Sequence, residues 1–144
     1  MTQDERFQRL RRSGVRDMLS HRLIRTAVAF FVLGVGLGIY MGANQDFRLM
    51  HVHAHLNLLG WVALALIGLL YATHPHLQEG WLPRAHYWLH TVGLVAFMGG
   101  FAWSRVSGTF LLLPVALGSS MVALGVLLFA VNVFRRLTQR TSVE

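Results

Sequence analysis

An all-α membrane protein, a four-transmembrane-helix antiparallel bundle behind a basic amphipathic segment, is what this 144-residue sequence predicts. Composition is the first reason. Hydrophobic residues make up 54% and charged residues 13%, with mean hydropathy +0.49, whereas a soluble domain carries about a quarter charged residues. The second reason is four apolar runs near the ~20 residues needed to cross a bilayer. The third is that the links between them are short, so sequential helices must pack side by side. The chain divides into a basic segment, 1–25, a helical domain, 26–134, and a basic tail, 135–144.

In the first segment Phe7, Leu10, Gly14, Met18 and Leu19 fall near helical spacing, with Arg6, Arg9, Arg11, Arg12 and Arg16 between them. This reads as an amphipathic helix on an anionic membrane surface, or else as a disordered basic tail. Helix one is expected over 26–43. Its Gly34, Gly38 and Gly42 form a doubled G-x-x-x-G strip that suits close approach, inside the bundle or against another copy of the chain. Helix two is expected over 49–73, helix three over 85–104 and helix four over 107–134.

All 13 cationic residues are arginine, and the net charge is +7. Eleven of them lie in the two ends of the chain and the 73–85 link, against Arg48 and Arg105 in the other two links. The positive-inside rule therefore predicts cytoplasmic N- and C-termini and a second helix entering from the outer side. A pI near 11.5 suggests nucleic acid in a soluble protein, but no nucleic-acid motif is present and anionic headgroups are the expected partner. The absence of cysteine excludes disulfides, thiolate metal sites and iron–sulfur clusters.

The stretch MHVHAHLNLLGW, 50–61, places His51, His53 and His55 at the mouth of helix two. Residues two apart on a helix project about 200° from one another. His51 and His55 share a face, and His53 points to the opposite side with Asn57 one turn on. Such a helix offers imidazole to two neighbours at once. His51, at the very start, suits a wetted interface; His53 and His55, one turn deeper, are costly to leave unpaired and suit iron or copper. A second group, His74, His76, His86 and His90, lies towards the other surface. His86 and His90 are spaced to hold one metal, although a solvated loop cluster is the expectation for this group. At ~1.5 Å per residue it stands too far from His53 to share an iron, so its replacement is expected to leave an outer site intact.

The run His53-Ala-His55-Leu-Asn-Leu-Leu-Gly60-Trp61 resembles the tenth helix of subunit I of the heme–copper oxidases, especially C-type oxidases and nitric oxide reductases. IGLLYATHPHL resembles the end of that helix and the Pro loop after it, and His86-Tyr-Trp-Leu-His90-Thr-Val-Gly93 resembles the start of the family's next helix. The likeness covers roughly 49–105. It implies a heme–copper oxidase-like fold in a bacterial inner membrane. It also implies that His53 and His55 ligate heme iron and that Arg105 binds heme carboxylates; Arg48 is added from its position. The family's copper-site histidines and His-x-x-x-Tyr motif are missing, so oxygen reduction by this chain alone is not expected. The second axial ligand would be His51, Met50, Met41, a small molecule or another chain's histidine.

Three functions stand as expectations. The first is a b-type heme protein, homo-oligomeric, for electron transfer or O2/NO binding. The second is a non-catalytic accessory or assembly subunit packed against respiratory-chain subunits. The third is a histidine-based copper or zinc site.

Overall fold

A computed structural model of the protein describes the backbone of residues 3–141 and the side chains of Gln3 and of residues 19–137. The side chains of residues 4–18, on which the expected amphipathic face depends, lie outside the described residues. Among the described residues every regular element is helical. Helix α1 spans Gln3–Asn44, α2 spans Met50–Thr73, α3 spans Leu82–Ser107 and α4 spans Leu112–Thr141, with a 3-10 turn at Pro75–Gln78. The basic N-terminal stretch runs into the first apolar segment without a break, and that segment begins at Leu19.

Leu19–Asn44, Met50–Thr73 and Leu112–Leu137 are long and apolar enough to cross a membrane. Helix α3 has the length, 26 residues, but not the same apolarity, because Arg84, His86, His90 and Arg105 interrupt it. Three such helices are thus found where four were expected. The last helix starts at Leu112 rather than at 107, since Gly108 takes φ 75° and ends α3 in a left-handed cap.

The bundle is two antiparallel hairpins, each closed by glycine. Helix α1 meets α2 where Gly34 lies under Asn57, Gly38 under His53 and Gly60 under Phe30; a Cβ at these glycines would fall 2.6 to 2.8 Å from those side chains. The glycine strip of α1 therefore packs inside the chain at Gly34 and Gly38, while Gly42 faces open space. In the second hairpin a Cβ on Gly118 would stand 2.4 Å from the Phe97 nitrogen, and one on Gly93 would stand 2.8 Å from the Gly118 carbonyl. Here the backbones themselves touch. Leu23, Leu64, Tyr71, Leu77 and Leu94, all fully buried, fill the space between the hairpins.

The link between α2 and α3 is tied down from both sides. Gln78 Nε2 donates to the Tyr71 carbonyl at 2.7 Å, and Asn132 Nδ2 donates to the Leu77 carbonyl at 2.8 Å. Arg136 donates to the carbonyls of His76 and Glu79 at 3.0 and 2.8 Å. At the opposite end, the 45–49 link starts with Gln45 at φ 52°, a left-handed residue whose N–H and that of Asp46 return to the Gly42 and Met41 carbonyls.

Candidate functional site

The end of α2 away from the chain termini carries His51, His53 and His55 on its first turns, Met50–His55. His53 points into α1, where its Nδ1–H donates to the Gly34 carbonyl at 2.7 Å. Asn57 Nδ2 donates to the His53 carbonyl at 2.9 Å and lies over Gly34. His55 turns to α3: its ring meets Phe97 edge-on at 5.7 Å, and its Nδ1–H donates to the His51 carbonyl at 2.8 Å. His51, exposed, lies 6.3 Å from Phe101 on that same side. The two-faced arrangement is a consequence of helical spacing.

Both anchors have one chemical effect. A carbonyl oxygen only accepts, so Nδ1 of His53 and of His55 carries the proton and Nε2 is left with its lone pair. A metal-ligating histidine is oriented in this way, its second nitrogen fixed on a carbonyl. The donor set therefore fits iron or another imidazole-binding metal at either residue. The two rings diverge and address separate atoms. Met41 is buried in α1 and Met50 is exposed at the start of α2.

Arg105 and Arg48 meet at this end, with Arg105 Nε donating to the Arg48 carbonyl at 3.4 Å. The Arg48 guanidinium is committed to Asp46, 2.6 Å away. Hydrogen bonding to Arg48 holds the Asp46 carboxyl below its usual range. Arg105 is the more available of the two for an added carboxylate.

The sequence did not disclose a π-helical segment, Leu56–Ala63, directly after His55. Wide turns of this kind cluster at functional sites. Local reasons for it are visible. The Asn57 side chain competes for the His53 carbonyl, Gly60 puts no Cβ in the way of Phe30, and His90 Nε2–H donates to the Leu59 carbonyl at 3.1 Å. Trp61 then stacks on Phe31, ring centres 4.6 Å apart.

His86 and His90 correct the expectation of a solvated cluster. Both have 0% exposure, deep between α2, α3 and α4. Burial arises because Gly125 of α4 lies against the α3 backbone at His90 and the Pro75 link folds over that end. His86 Nδ1–H donates to the Gly125 carbonyl at 2.9 Å. His74 and His76 remain half-buried in the link. Among the described residues no three His, Cys, Asp or Glu side chains gather as a metal cluster.

No family model, no curated protein and no solved structure matches the chain.

Proposed function

We propose that the protein is a b-type heme-binding protein of the bacterial inner membrane, in which α3 crosses the bilayer with the other three helices. Both termini face the cytoplasm, as the arginine distribution argues. A cavity of about 280 Å³ at the terminal end is lined by Glu79, Trp81, Asn132, Arg135 and Arg136; Arg136 is spent on Glu79 and the link carbonyls, which leaves Arg135 to meet an anionic headgroup. His53 and His55 are the candidate iron ligands and Arg105 the candidate carboxylate partner. His51, Met50 and Met41, or a group from outside the chain, remain open as the second axial ligand.

One observation carries this reading. Two imidazoles diverge from one turn of α2, each with Nδ1–H on a backbone carbonyl and Nε2 left to ligate. Bound heme supplies reversible one-electron chemistry, or an open position for O2 or NO, according to how many axial ligands the protein gives it. The protein's own part is to fix each ring, to exclude water with Phe97, Phe101 and Trp61, and to set charge through Arg105.

Detergent-purified protein from heme-replete cells tests this. A Soret band is expected, reduced about tenfold or more in His53→Ala or His55→Ala. Colourless, folded protein that takes up no added hemin would overturn it. Sharp reduced α-bands would assign electron transfer, and a broad high-spin spectrum would assign gas binding.

A further inference from the structure

Fully buried imidazoles normally use both nitrogens, because a polar atom removed from water without a partner carries a desolvation cost that native interiors seldom bear. His86 and His90 each use one. His86 Nδ1 is spent on the Gly125 carbonyl and His90 Nε2 on the Leu59 carbonyl. As donors to carbonyls, those nitrogens hold the protons. Nε2 of His86 and Nδ1 of His90 are therefore bare lone pairs, buried and without a protein partner. The two rings stand 5.3 Å apart with their planes at 67°.

Bare acceptors on two neighbouring buried rings are satisfied by something that accepts electron pairs or donates hydrogens. A metal ~2.0 Å from each nitrogen lies roughly 3 Å from each ring centre, so two imidazoles on one tetrahedral ion stand about 5 Å apart. A water held at about 2.8 Å from both nitrogens would separate the ring centres by about 6 Å. The observed 5.3 Å lies nearer the value for an ion bonded to both rings. Each ring also has the carbonyl-anchored second nitrogen of a metal-binding histidine, and the anchors come from two helices other than α3.

The charge of the ion is set by the donors. Both ligands are neutral, and no carboxylate or thiolate joins them in a metal-holding cluster among the described residues. The cost of burying an ion rises with the square of its charge, so a neutral pair in an apolar bundle favours a monovalent ion. Imidazole suits copper, and three-coordinate copper(I) holds its ligands about 120° apart, an angle that puts the two ring centres about 5 Å apart and leaves the third position to a small molecule.

We propose that His86 Nε2 and His90 Nδ1 together bind one copper(I) ion inside the bundle, between α2, α3 and α4. The site is separate from the heme reading and uses none of its ligands.

Two substitutions isolate the bare nitrogens. His86→Asn keeps a donor near Nδ1 for Gly125, and His90→Gln keeps a donor near Nε2 for Leu59; each removes only the free lone pair. Full-length protein carrying His53→Ala and His55→Ala is titrated with cuprous ion against a chromophoric copper(I) chelator, anaerobically in detergent. One equivalent is expected to bind in that background, and more than about 100-fold more weakly after either further substitution. X-ray absorption of the copper-loaded protein should show two imidazoles, and this readout stands even if a variant fails to fold. Equal binding in folded His86→Asn and His90→Gln variants would overturn the site. Uptake no stronger than the chelator's, zinc bound in preference to copper, or sulfur ligation would also overturn it.

Discussion

The two hairpins use glycine for opposite purposes. Between α1 and α2, Gly34 and Gly38 open gaps that polar side chains enter, Asn57 into one and His53 into the other. Between α3 and α4, Gly93 and Gly118 bring backbone against backbone, and the buried histidines sit beside that seam where Gly125 closes it. The first hairpin therefore presents half-buried imidazoles at its end, and the second seals a pair inside. A gap filled by a side chain can yield by a rotamer change. A backbone seam cannot.

Replacement of the histidines should give the largest contrast. His86→Ala empties a sealed volume and is expected to cost about 3 kcal/mol, while His55→Ala, at the rim, stays within about 0.5 kcal/mol. Unfolding of the metal-free and heme-free protein by SDS in mixed micelles measures both, and equal losses would erase the distinction between hairpins. Glycine replacement grades the same comparison. Gly118→Ala should destabilise by about 2–3 kcal/mol, because the Phe97 backbone cannot retreat. Gly34→Ala should cost less, since the Asn57 amide can turn away, and Gly42→Ala should be neutral or slightly stabilising by helix propensity.

One of the bonds that join the hairpins runs from His90 to the Leu59 carbonyl, inside the wide turn that follows His55. In heme-loaded protein, His90→Ala is expected to shift the Soret band by a few nanometres, and His90→Gln, which preserves the donor, is expected to leave it in place. An unchanged Soret band in His90→Ala would instead uphold the expectation that the two histidine groups act independently.

The smallest effect belongs to the 45–49 link. Asp46 has its carboxyl pKa lowered by hydrogen bonding to Arg48. The sign is that of a depressed acid: the pair stabilises above the ordinary carboxylate pKa of 3.8 and loses that contribution as pH falls through the lower folded value. The pair is solvent-exposed, so the change is slight. Asp46→Asn should flatten the melting temperature between pH 5 and pH 2.5 by about a degree at most.

The helical bundle and three of its apolar spans were legible because apolar run length is a local quantity. The divergence of His53 from His51 and His55 was legible for the same reason, as a helical period of 3.6 residues fixes it. The burial of His86 and His90 was not. Their grouping with His74 and His76, which flank Pro75, suggested a wet cluster, whereas the link is roofed by Asn132 and Arg136, more than 40 residues away in the chain. The Gly93–Gly100 and Gly118–Gly125 pairs, seven apart, form a less conspicuous pattern than the four-residue spacing on α1, although Gly118 makes a closer approach than any glycine there. The wide turn in α2 depends on His90 from another helix, and no local pattern announces it.

That turn also decides where α2 tolerates a change in length. A π segment holds a surplus residue relative to ordinary winding. Deleting one residue within Leu56–Ala63 takes up the slack and leaves the faces at both ends as they were, with His53 still on α1 and Tyr71 still beside Phe129. The same deletion a turn later, among residues 64–70, swings everything beyond it by about 100° and pulls Tyr71 out of the core.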